Sequence, residues 1–129
     1  LDFNDKTTAQ FQLETVIKEY DNTLSASLAK YYLGKMSYDV ANLEEANRYL
    51  KSYLDSNPKG FLASSASILL ADIATSNGNL LDAIRFLDES INNSNSKNGY
   101  GKSSYIFSTF RIIFRKIYFI RKITYLLGA

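Results

Sequence analysis

The chain has no cysteine, no histidine and no tryptophan, and a single proline and a single methionine among 129 residues. Without cysteine there is no disulfide, no thiolate metal ligand and no thiol nucleophile. Without histidine the chain lacks the side chain whose unperturbed pKa suits proton transfer near neutrality, and with it the commonest metal ligand. An enzyme built on this sequence would have to activate Asp, Glu, Lys, Tyr or Ser by burial and neighbours alone. The expectation is a chain that is not an enzyme, with no catalytic residue, no cofactor and no metal. Long apolar runs are missing too. No stretch of about 18 uncharged apolar residues occurs, so neither a signal peptide nor a spanning helix is expected within it. The first residue is leucine, and the chain reads as a portion of a longer or processed protein.

Acidic residues are absent from one end. Residues 1–89 hold 8 Lys/Arg and 13 Asp/Glu, whereas residues 90–129 hold 7 Lys/Arg and no acid. The small net charge of +2 therefore averages an acidic body and a basic tail. With 46% apolar residues the body is long enough for one core.

What is present is repetition. Residues 42–50 read NLEEANRYL and residues 79–87 read NLLDAIRFL, 37 positions later, with five of nine letters shared. Ala46 and Ala83 coincide, and one more step back reaches Ala9. Apolar residues follow these alanines at four, seven and eight positions: Leu13, Val16 and Ile17; Leu50, Tyr53 and Leu54; Leu87 and Ile91, with Ser90 the exception. That spacing is one stripe on a helix. A second run precedes each later alanine, with small residues matched as Ala29 and Ala66, Gly34 and Ala71, Ser37 and Ala74. Small residues there let two helices approach closely. Asn42 and Asn79 read as N-caps, each with an acid three residues on. Asn77-Gly78 reads as a helix stop, and Asn57-Pro58-Lys59-Gly60 as a longer break. Helices are expected over 5–20, 25–40, 43–56, 61–77 and 80–93, with a last one within 102–127.

Leu33, Gly34, Ala46, Leu50, Leu54 and Pro58, with their second copy Leu70, Ala71, Gly78, Leu80, Ala83, Leu87 and Ile91, resemble the tetratricopeptide repeat. Ser37 and Ala74 depart from its usual aromatic, and the period is longer than the usual length of about 34. The resemblance implies an all-α fold: antiparallel helix hairpins stacked as a short α-solenoid over 1–98, followed by a connector and a basic amphipathic helix over 99–129, packed on the array or on a partner. It also implies a scaffold that binds another protein or peptide on the concave face of the first helix of each hairpin. Carried over residue by residue, that face comprises Leu28, Tyr31, Lys35, Tyr38 and Asp39 in one hairpin, and Ser65, Ile68, Asp72, Thr75 and Ser76 in the next. Tyr31 and Tyr38, seven apart, are the leading binding candidates. The lettering around Leu24-Ser25-Ala26-Ser27-Leu28-Ala29 resembles the divergent repeats of bacterial envelope proteins, which implies a periplasmic location; a cytoplasmic one is the alternative.

The tail, YIFSTFRIIFRKIYFIRKITYLL over 105–127, mixes apolar residues with five positive charges. Ser103, Phe107, Ser108 and Phe110 fall on the first-helix positions at the same 37-residue step, but Arg115 and Ile120 then occupy places meant for small residues. A single long helix is therefore expected rather than a third hairpin; a strand stays open on composition. Its interface would use Phe107, Phe110, Arg111, Phe114, Arg115, Ile117 and Lys122. The occupant is this chain's own array, a second copy in a homodimer, or a membrane surface; nucleic acid is the least favoured partner.

Overall fold

The computed structural model describes residues 3–94, 121–123 and 125–128. Five helices run in chain order: α1 (Phe3–Glu19), α2 (Leu24–Asp39), α3 (Leu43–Leu54), α4 (Phe61–Ser76) and α5 (Leu80–Ser94). Each lies within two residues of its expected span at either end, and no strand occurs among the described residues. The expected long terminal helix falls mostly outside the described residues; 121–123 and 125–126 are helical.

Two compact units result, Leu1–Pro58 and Lys59–Ala129. In the first, α1 packs on α2 and α2 packs on α3; in the second, α4 packs on α5. Within each unit consecutive helices pack on one another, so the all-α architecture of paired helices is as expected.

Local chemistry sets the helix ends. Thr23 caps α2 by accepting from the Ala26 N–H at 3.1 Å. At its other end the Ala41 N–H donates to Tyr38 O at 2.9 Å and the Asn42 N–H to Ser37 O at 2.9 Å. The turn after α4 repeats this with Gly78 N–H to Thr75 O at 3.0 Å and Asn79 N–H to Ala74 O at 2.8 Å. Both turns need a left-handed residue, Ala41 at φ 60 and Gly78 at φ 76. Glycine adopts it freely, whereas alanine carries a Cβ penalty.

Each unit buries a row of small residues beside a few bulky ones. In the first, Ala26, Ala29, Leu33 and Gly34 of α2 and Ala46, Leu50 and Tyr53 of α3 are buried. A Cβ built on Gly34 would stand 2.7 Å from Leu50 Cγ, 2.8 Å from its Cδ2 and 3.2 Å from its backbone nitrogen. Leu50 is fully buried and has no room to retreat. In the second unit Ala63, Ala66, Leu70, Ala71 and Ile73 of α4 and Ala83 and Phe86 of α5 form the core. Burying each Leu-sized chain contributes roughly 1.5 to 3 kcal/mol.

Hydroxyls pin the hairpins as well. Ser27 Oγ lies 2.8 Å from Ser56 Oγ, joining the start of α2 to the turn after α3. Ser64, its counterpart one period on, donates to Ser90 O at 3.0 Å, linking α4 to α5. Ser67 of α4 is wholly buried, and its hydroxyl finds no partner.

Two stability measurements follow. Gly34→Ala gains about 1 kcal/mol of helix propensity but overfills the crossing at a cost of roughly 1 to 3 kcal/mol, so the urea midpoint should fall. Ser67→Ala removes an unpaired buried hydroxyl and should raise the midpoint, by about 1 kcal/mol of stability.

Candidate functional site

The repeated nonamers are helix openings rather than a ligand motif. Asn42 Oδ1 accepts from the Glu45 N–H at 3.4 Å while its Nδ2 donates to Glu45 Oε2 at 3.0 Å. Arg48 Nη2 reaches Glu45 Oε1 at 3.3 Å, and its guanidinium lies 4.2 Å from the centre of the Tyr49 ring. The same device recurs one period later. Asn79 accepts from Asp82 N–H at 3.3 Å and donates to Asp82 Oδ2 at 2.7 Å; Arg85 reaches Asp82 Oδ1 at 3.2 Å and stacks 4.8 Å from the Phe86 ring centre. The shared letters Asn, Leu, Ala, Arg and Leu thus encode a cap, an ion pair at the positive helix end and a close-packed core position. The ion pairs are exposed and contribute little by themselves.

The outward face of α2 is the first candidate surface. Lys35 and Asp39 are exposed there and pair at 3.2 Å, so their charges cancel locally. Leu28 and Tyr38 are half-buried. Tyr31 is different: it is 4% exposed, with its ring centroid 5.4 Å from that of Tyr53 on α3. It packs the hairpin from inside. Tyr32, which the register passes over, is 49% exposed and meets Tyr31 edge-on at 5.4 Å. Leu28, Tyr32, Lys35 and Asp39 fall at i, i+4, i+7 and i+11 and so share one stripe.

The equivalent stripe on α4 is Ser65, Leu69, Asp72 and Ser76. The first three are half-buried and Ser76 is exposed, donating to Asp72 O at 3.0 Å. Ile68 is half-buried, and Thr75 is 1% exposed with its hydroxyl given to Ala71 O at 2.8 Å. Of the expected residues, then, Lys35, Tyr38, Asp39, Ile68 and Asp72 keep solvent-facing surface, and Tyr31 and Thr75 lie inside. The 37-residue period aligns Tyr31 with Ile68 and Tyr53 with Ser90, and it carries no signal that separates Tyr31 from Tyr32.

Of the tail residues, Phe107, Phe110, Arg111, Phe114, Arg115 and Ile117 lie outside the described residues. Lys122 is helical and exposed. No helix among the described residues is long and apolar enough to cross a membrane.

Burial pushes the Tyr53 hydroxyl up from its ordinary value, with Tyr31 adding to the shift. A raised folded-state pKa leaves stability intact below the ordinary tyrosine value of about 10 and removes it as pH rises through the folded value. Wild type should accordingly lose stability more steeply than Tyr53→Phe as pH rises above about 10, as read by urea unfolding.

Against known proteins, the family model described as a tetratricopeptide repeat-like domain matches residues 1–98. No curated protein and no solved structure matches the chain.

Proposed function

The chain belongs to the tetratricopeptide repeat-like family, and from that premise we propose that it holds a protein partner against the outward stripe of α2, without catalysis. Repeats of this kind generally mediate protein interactions as scaffolds and are generally non-catalytic. The carrying observation is the stripe on α2. It offers a half-exposed aromatic ring, Tyr32, braced edge-on by a buried one, beside Leu28 and a locally neutralised Lys35–Asp39 pair. A ring held in place by packing has already lost its rotamer freedom, so less ordering remains to be done on binding. With its charges cancelled, the stripe suits an apolar or aromatic segment carrying hydrogen-bond donors and acceptors, rather than a highly charged peptide. The stripe on α4, with Ser65, Leu69, Asp72 and Ser76, offers a more polar surface of its own.

A bacterial-envelope setting is part of this proposal and rests on the resemblance of residues 24–29 alone. Fractionation of the source cells, with the chain recovered in the cytosol, would remove it.

To test the face, the partner is captured on the full chain from source cells, purified and titrated. Tyr32→Ala combined with Leu28→Ala should weaken its affinity about tenfold or more, the scale of a lost aromatic anchor. Lys51→Ala, on the exposed side of α3, should leave it unchanged. A folded Tyr32/Leu28 double variant with wild-type affinity contradicts the assignment.

A further inference from the structure

Among the described residues Asn77 is the one asparagine followed by glycine. The backbone nitrogen of the residue after an asparagine can attack the side-chain Cγ, and only glycine leaves that approach free of a side chain. The N–Cγ bond forms, the Cγ–Nδ2 bond breaks, and ammonia departs carrying the peptide proton, which leaves a five-membered succinimide. Water then opens one or the other carbonyl of the ring, giving aspartate or isoaspartate. Such chemistry is one reason why asparagine is a thermolabile residue.

The turn between α4 and α5 presents this pair to solvent. Asn77 and Gly78 are both exposed, and a Cβ built on Gly78 would meet nothing within 4 Å, so water can enter and ammonia can leave. The folded turn nevertheless holds the reaction back. The Gly78 N–H donates to Thr75 O at 3.0 Å, which keeps its proton in place and its nitrogen turned toward α4. Asn77 sits at φ −85 and ψ 1, and the next N–H, that of Asn79, donates to Ala74 O at 2.8 Å. Closing the ring swings the Gly78 nitrogen over Asn77 Cγ, a rotation about ψ that breaks both bonds. The first unit builds the same pair of turn hydrogen bonds with Val40 and Ala41 in these places, so the fold itself does not require an asparagine at 77.

We infer that Asn77 is a site of spontaneous modification gated by the α4–α5 turn: its amide is lost when the turn opens, and isoaspartate then keeps the turn from closing. An isoaspartyl residue adds one carbon to the main chain between residues 77 and 78. Both turn hydrogen bonds span that point, so neither fits the lengthened chain. Asn79, which caps α5 by accepting from the Asp82 N–H at 3.3 Å, then loses its fixed place. The site is independent of the partner surface assigned to α2, and either assignment stands if the other fails.

The full chain is incubated in neutral buffer, with and without denaturing urea, and the tryptic peptide of residues 60–85 is followed by mass spectrometry with isoaspartyl methyltransferase labelling. That peptide keeps Asn77 apart from the second Asn-Gly pair, at 98–99. Isoaspartate at position 77 should form in urea, and at least about tenfold more slowly in the folded chain, because only the opened turn reacts. Asn79→Ala, which removes the α5 cap, should speed the reaction about fivefold in buffer and leave it unchanged in urea. Gly78→Ala should slow it in urea, where no turn contributes. No isoaspartate at 77 in urea overturns the site. Equal rates with and without urea overturn the gate, as does an Asn79→Ala chain that reacts in buffer at the wild-type rate. An Asn79→Ala chain that fails to fold leaves the wild-type comparison to decide.

Discussion

The close crossing of α2 and α3 at Gly34 and Leu50 is the constraint on which the first unit depends. Only a residue without a Cβ fits there, because the added atom would press on a leucine that is itself fully enclosed. Proximity at that point sets the spacing of the two helices, and the spacing decides which flanking groups meet. Tyr31 reaches Tyr53, and Ser27 reaches Ser56, because the backbones are held this near. The second unit solves the same problem with Ala71 in place of glycine and a smaller pair, Ile68 and Ser90, where the first has two tyrosines. There Ser64 donates to the backbone carbonyl of Ser90. One architecture is thus packed with two different chemistries.

A surface follows from the same geometry. The hairpin core takes Tyr31, Leu33, Gly34 and Ser37 from α2, and the residues left over form the opposite stripe. Its character is consequently fixed by what the core does not need. Tyr32 is outward because Tyr31 is committed inward, and the inner ring supports the outer one. Binding on such a face relies on a shape that exists before the partner arrives.

Much of this was legible in the letters. Helix spans, the Asn42 and Asn79 caps and the small-residue crossings can be read because each rests on local chemistry or on a period: a capping amide three residues before an acid, a glycine opposite a leucine. The orientation of individual side chains on the expected binding face is harder. Adjacent helical residues differ by about 100° in direction, so a register error of one position exchanges a buried tyrosine for an exposed one. The repeat register misplaces Tyr31 and Thr75 for that reason. Thr75 also hides its polarity by hydrogen bonding to its own helix at Ala71 O, which lets a hydroxyl residue sit in a core position that composition would deny it. The exposure of Leu80, Leu81 and Ile84 on α5 is invisible in the letters for a different reason, since an apolar residue at helical spacing reads the same whether or not it is covered.

Solution NMR sees the helix crossing at Gly34 and Leu50 without altering a residue. Strong nuclear Overhauser effects between the Gly34 Hα protons and the Leu50 methyl groups are predicted, since the leucine side chain packs against the bare glycine. A well-dispersed helical spectrum in which Gly34 shows no contact with Leu50 would contradict it.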